Sequence, residues 1–211
     1  QRLFVCRPEN TAAESACADR ILKTLVRRAY RRDVTEDDLK PVRRFYDAGR
    51  KERDFDLGIQ RALERVLVSP QFLFRIEAQP ANAAEVYKLS PFEVASRLSF
   101  FLWSSIPDDQ LLDAASKGTI LQTAELNRQV DRMLADSRSE SMISNFGAQW
   151  LFLRDVETKE PDLYLFREYD EGLRASFVRE TELFLASILR EKRSVLDLLT
   201  ANHTFVNERL A

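Results

Sequence analysis

Residues 90–103 read SPFEVASRLSFFLW, and this stretch decides the fold class. Ser90 offers an oxygen to the exposed amides of a helix start, Pro91 suits the first helical position, and Glu93 completes the cap. Behind that start, Val94, Leu98, Phe101 and Leu102 recur at helical spacing and are expected to face inward. The same grammar continues downstream. Pro107-Asp108-Asp109 places acids where the helix dipole favours them, and Gly118 ends that helix. Thr123 precedes a helix carrying Leu126, Val130, Met133 and Leu134. The next, from about residue 138, sets Met142, Phe146, Trp150 and Leu153 at almost perfect i, i+4 spacing. Residues 157–168 are polar, broken by Pro161, and read as a loop. A long helix over 170–191 aligns Leu173, Phe177, Phe184 and Ile188. Ser194 caps a short helix through Leu199, residues 202–206 are extended, and Asn207 opens a further turn.

Upstream, residues 1–6 form an extended lead-in. Thr11 and Glu14 have capping-box spacing. The helix behind them lines up Cys17, Ile21, Leu25 and Ala29, with Leu22 and Val26 beside them; Arg27, Arg28, Arg31 and Arg32 fall outside that stripe. Thr35 and Asp38 repeat the box. A proline deep in a helix costs about 3 kcal/mol, so Pro41 is expected to restart the helix, with Val42, Phe45 and Tyr46 buried. Asp54 opens a third helix, and Ser69-Pro70 a short one carrying Phe72, Leu73 and Ile76. Residues 79–84 are aperiodic and Pro/Ala/Asn-rich, a boundary. The reading is an all-α chain of two consecutive packed helical modules, 1–79 and a larger 88–211, joined by a linker at 80–87.

Composition agrees. Ordinary usage of about 7% would give roughly 15 glycines in a chain of this length, and there are five. Phosphate loops, tight hairpins and dinucleotide folds all need glycine at positive φ. Between Asp19 and Arg53, twelve Lys/Arg face seven Asp/Glu, a local +5 that leaves −7 elsewhere for a net −2. No nucleic-acid partner is expected from such a balance. The basic run Arg27 to Arg32 reads as a solvated helix face beside Asp33, Glu36, Asp37 and Asp38. No stretch approaches the roughly 18 apolar residues a membrane span needs. Gln1 in place of Met, and a helix at Asn207 that stops at Ala211, are read as marks of a fragment.

Specific blocks carry a resemblance. Residues 4–8 (FVCRP), 27–39 (RRAYRRDVTEDDL) and 55–77 (FDLGIQRALERVLVSPQFLFRIE) resemble one domain of unknown function. Residues 89–112, containing ASRLSFFLWSSIPDDQLL, and 197–211 (DLLTANHTFVNERLA) resemble a second that comes after it in tandem. Such tandem domains occur in large exported proteins of planctomycetes and related bacteria, often with a c-type haem module elsewhere. The resemblance implies export, to the periplasm or cell surface, and a multidomain context. It implies no catalytic residue. Without a CxxCH, no haem or other cofactor is expected within this chain. The expected partners are neighbouring domains of a larger chain, or a docked redox protein.

Against that background, a disulfide between Cys6 and Cys17 is favoured over two buried thiols, because export permits it. His203, the single histidine, has no Cys/His cluster to join and reads as structural; it also makes a serine or cysteine triad improbable. Asp108 or Asp109 could form half of a carboxylate pair with Glu180, Glu182, Glu160 or Asp162, but their spacing brings no two together. Trp103 and Trp150 read as core. If part of the SFFLWSS segment is exposed, it is a docking surface. Arg97, one turn before Phe101, is a candidate ion-pair partner of Asp108 or Asp109, giving the cluster Arg97, Trp103, Asp108 and Asp109. The leading expectation is a non-catalytic scaffold or interaction unit. The alternative is a carboxylate-based enzyme domain acting on a cell-surface polymer, completed by residues outside the chain.

Overall fold

The computed structural model describes residues 3–77 and 86–211. Most of the expected linker, 80–85, and the first two residues of the lead-in lie outside them. Among the described residues every regular element is helical and none is a strand. The chain divides into two compact units. One takes in Gln1–Ser99 and Ser105–Leu126, the other Phe100–Ser104 and Asn127–Ala211. No helix of the described residues is long and apolar enough to cross a membrane.

In the first unit, α1 (Thr11–Tyr30) starts one residue earlier than its sequence box suggests. Asn10 is the cap, its side chain accepting from the Ala13 amide at 3.0 Å. Glu14 is thereby released to bind Arg50 at 2.5 Å. Helix α2 (Glu36–Glu52) begins at the Thr35–Asp38 capping box and runs straight through Pro41. The restart at Pro41 is therefore corrected. The proline sits near the helix start, where a lost amide removes one hydrogen bond, and buried Leu39, Val42 and Tyr46 hold the helix in place. Phe45, expected inside, is exposed.

Helix α3 (Phe55–Leu67) is capped by Asp54 and folds back along α2. Two glycines permit the approach. A Cβ on Gly49 would meet the Leu57 carbonyl at 2.6 Å, and one on Gly58 would meet the Tyr46 ring at 2.8 Å. The core between α1, α2 and α3 contains Ile21, Leu22, Val26, Leu39, Val42, Ile59 and Val66, with Leu3 and Phe4 packed on it. A disulfide joins Cys6 to Cys17 and ties the lead-in to α1. Closing a loop of this size removes unfolded-state entropy worth about 3 kcal/mol. The short α4 (Pro70–Leu73) comes next.

Helix α5 (Pro91–Trp103) has the expected cap, with Ser90 and Glu93 bonding each other's amides. Its last residues belong to the second unit. Asp108 caps α6 (Asp109–Ser116), accepting from Leu111, and Gly118 at φ 70° closes that helix. Helix α7 (Thr123–Ala135) includes Thr123 as its first residue, and from Asn127 onward it belongs to the second unit. Segments α8 (Glu140–Met142) and α9 (Ala148–Trp150) are joined by a π-helical turn over Ile143–Gly147. Then come α10 (Leu153–Val156), α11 (Glu171–Arg190) with its Asp170 cap, and α12 (Asp197–Thr200). Ile143 packs with Leu185 and Ala186 of α11 in a small core.

Candidate functional site

The basic run at the end of α1 is neutralised piece by piece inside the first unit. Arg27 binds Asp113 at 2.8 Å, and Arg28 grips Asp109 with two bonds of 3.0 and 2.5 Å. That pair holds the Asp109 carboxyl below its usual range, chiefly through the Arg28 hydrogen bond. Arg32 binds both oxygens of Asp38 at 2.8 and 2.7 Å. Burial alone would raise Asp38, but its bonds from Arg32 and Thr35 outweigh this and lower it.

Arg31 departs from the expected solvated face. It is 7% exposed and adopts the left-handed region at φ 57°. Its guanidinium donates to four carbonyls: Ala29 at 2.8 Å, Phe72 at 3.3 Å, Gln71 at 2.6 Å and Phe74 at 2.9 Å. A rigid planar fork suits such a set, and it ties α4 and the turn after it to the end of α1. Nothing in RRAYRR marks this arginine out from the other three.

The residues singled out from sequence do not form one cluster. Arg97 takes both oxygens of Glu77, at 2.5 and 2.6 Å, rather than Asp108 or Asp109. Asp108 is turned onto the Leu111 amide of its own helix at 3.0 Å, and Asp109 onto Arg28. Both acids thus serve the start of α6 and its attachment to α1. Trp103 belongs to the second unit, while the other three lie in the first.

Trp103 is 3% exposed, and its indole N–H donates to the Met133 carbonyl at 2.9 Å. The Arg138 guanidinium lies 3.4 Å from its ring centroid, and Arg132 lies 5.3 Å away. Arg138 in turn bonds both oxygens of Asp136, at 2.9 and 2.7 Å. These bonds, with the Arg138 amide, hold the Asp136 carboxyl at about 2. A carboxyl depressed in the folded state stabilises above its unfolded value, near 3.9, and the stabilisation fades as pH falls through the folded one. An NMR titration of the folded protein is therefore expected to place the Asp136 midpoint near 2. Arg138→Gln should return it toward the ordinary aspartate range.

The remaining acids are dispersed in the second unit. Glu180 accepts from the Thr204 hydroxyl, Glu182 from Arg179 at 3.0 Å, and Asp162 from the Tyr164 amide at 2.8 Å. Glu160 contributes only a through-space charge at Arg174, whose guanidinium is raised first by its bond to Tyr169. Among the described residues no three His, Cys, Asp or Glu side chains gather as a metal-holding group. His203 sits between Phe184 and Phe205, with Arg193 at 3.0 Å from its Nε2.

The expected inward stripe of the 138–153 segment is corrected. The π turn over Ile143–Gly147 adds a residue to the helical repeat and rotates the residues after it. Ile143, Gly147 and Ala148 become buried, whereas Phe146 is 47% and Trp150 53% exposed. Phe101, also expected inside, is 52% exposed. The three rings touch in sequence: Phe101 meets Phe146 edge-on at 5.9 Å, and Phe146 stacks on Trp150 at 5.9 Å. Exposed Leu151 and Phe152 come directly after them in the chain. An amide and a guanidinium lie beside the rings, with Asn145 donating to Ser104 at 2.9 Å and Arg154 reaching Asn145.

The described residues thus form an all-helical protein of two compact units. A family profile described as PSD4, protein of unknown function (DUF1592), matches residues 89–211, and one described as PSD5, protein of unknown function (DUF1595), matches residues 17–77. The first covers more than half of the chain, which belongs to the PSD4 (DUF1592) family. No curated protein and no solved structure matches it. The compact units are not coextensive with the two matches: α6, within the PSD4 match, is bonded through Asp109 and Asp113 to α1, within the PSD5 match.

Proposed function

We propose that the chain is a non-catalytic helical scaffold and interaction unit of an exported multidomain protein, holding a neighbouring domain or docking a redox partner. The observation that carries this reading is the aromatic face of the second unit. Phe101, Phe146 and Trp150 form a continuous row of rings, yet each remains about half exposed. Large contiguous apolar surface rimmed by polar groups is characteristic of interaction sites, and aromatic rings dominate the energetics of such contacts. The Cys6–Cys17 disulfide favours an oxidising compartment. The acids on which a carboxylate mechanism would rest are engaged in caps and ion pairs, so no observation favours that reading.

Phe146→Ser with Trp150→Ser in the intact protein tests the proposal. The pair is expected to cost the fold no more than about 1 kcal/mol, as half-exposed positions do. Its association with the neighbouring domain or partner should weaken at least about tenfold, the loss of one aromatic anchor. Association that survives the double substitution unchanged would remove the basis of the reading.

A further inference from the structure

The loop between α10 and α11, within the second unit, is shaped by its own turns and clamped from two sides. Asp162 accepts the Tyr164 amide on its carboxylate at 2.8 Å and the Leu165 and Phe166 amides on its carbonyl. Phe166 in turn accepts the Tyr169 amide at 3.1 Å. From α11, Arg174 donates to the carbonyls of Glu157 and Lys159 at 2.9 and 3.3 Å, and to the Tyr169 hydroxyl at 3.1 Å. Arg209 holds the Glu168 carbonyl at 2.8 Å and the Asp170 carboxylate at 2.7 Å. A loop fixed at so many points presents its side chains in a preset arrangement, which lowers the cost of binding a ligand.

Between this loop and the first turns of α11 lies an open cleft of about 630 Å³. Its apolar wall includes Leu173 and the rings of Phe166, Tyr169 and Phe177, and its two charged members are Arg167 and Glu168. That size, with a mostly apolar lining and a few polar groups, suits a small organic ligand. Among the described residues none of the three rings packs on another aromatic ring. Arg167 and Glu168 are exposed neighbours in sequence that do not pair with each other. Among the described residues the Glu168 carboxylate has no hydrogen bond or ion pair, and the Arg167 guanidinium has only the Tyr164 ring at 5.6 Å. The cleft therefore carries one cation and one anion, and neither neutralises the other. A ligand with a single charge would be attracted by one of them and repelled by the other. A head bearing both signs is attracted by both, its carboxylate matched by the planar guanidinium fork and its ammonium by the carboxylate.

We propose that this cleft binds a small aromatic zwitterion of the α-amino-acid type, its carboxylate on Arg167, its ammonium on Glu168 and its ring among Phe166, Tyr169 and Phe177. Calorimetric titration of the whole chain with phenylalanine, 3-phenylpropionate, phenethylamine and glycine tests it. Phenylalanine is expected to bind saturably and one-to-one. Each of the others should bind at least about tenfold more weakly, for the loss of one ionic contact or of the ring. Arg167→Gln should weaken phenylalanine about tenfold while leaving phenethylamine no weaker. Glu168→Gln should weaken phenylalanine likewise while leaving 3-phenylpropionate no weaker. Both positions are exposed, so circular dichroism should show the fold of either variant unchanged. Phe166→Ser should narrow the advantage of phenylalanine over glycine. Absence of saturable phenylalanine binding up to about 10 mM overturns the proposal. So does glycine or either singly charged analogue binding as tightly as phenylalanine, or phenylalanine binding that both charge variants leave intact.

Discussion

Trp103→Ala is expected to lower stability by about 4 kcal/mol, the middle of the range for buried aromatic truncation. Three losses combine. A cavity opens at a side chain that is 3% exposed. The Met133 carbonyl loses the indole N–H at 2.9 Å. The guanidinium of Arg138 loses the ring beneath it at 3.4 Å, and with it the surface that steadies its pair with Asp136. Trp103→Phe keeps most of the ring area and should cost only about 1–2 kcal/mol, for the hydrogen bond and part of the cation–π contact. Urea denaturation monitored by circular dichroism measures both. The chain has two tryptophans, so in either variant Trp150 alone reports by fluorescence. Equal losses in the two variants would mean that the indole N–H, rather than the packing of the ring, supplies the stability.

Arg31→Ala should cost about 2–3 kcal/mol, because hydrogen bonds to a charged group are strong and one buried and three part-buried acceptors lose them together. The carbonyls of Ala29, Gln71, Phe72 and Phe74 all lose their donor. Arg31→Gly loses the same four bonds but relieves the left-handed backbone at φ 57°, worth about 1 kcal/mol for a residue with a Cβ. Glycine is therefore expected to be the milder substitution, as at other left-handed helix ends and unlike in a helix interior. Arg31→Lys should fall between Arg31 and Arg31→Ala, since one ammonium cannot span four acceptors. Midpoints from chemical denaturation at matched m-values decide the order.

The helices were legible because each rests on local chemistry. Thr35 with Asp38, Ser90 with Glu93, and Asp54 cap where their residue type and spacing indicate, whereas Thr123 lies inside α7 and α12 starts at Asp197 without a side-chain cap from Ser194. The Thr11–Glu14 spacing pointed to Thr11, yet Asn10 beside it is the cap, since the geometry of the chain entering the helix selects between adjacent candidates. The aromatic face was hidden for a different reason. Met142, Phe146 and Trp150 keep an α-helical period, and the π turn that breaks this period has no local signature. It places Gly147 so close to α11 that a Cβ there would meet Leu185 at 2.6 Å.

Charge partners were the least legible. Arg97 and Asp109 lie one helix apart in sequence and were natural partners on that ground, yet Arg97 found Glu77 and Asp109 found Arg28, 81 positions away. Ion pairs depend on which surfaces meet in space, and sequence spacing constrains them only within a single helix. By itself the sequence determined that the chain is helical, where most helices begin, and which residues such as Ile21, Leu22 and Val42 fill the first core. Caps and 3.6-residue periodicity act over one or two turns. The tertiary structure alone decided which of four neighbouring arginines is buried, which rings face outward and which acids are engaged. Those outcomes depend on contacts between segments far apart in the chain, and no local pattern encodes them.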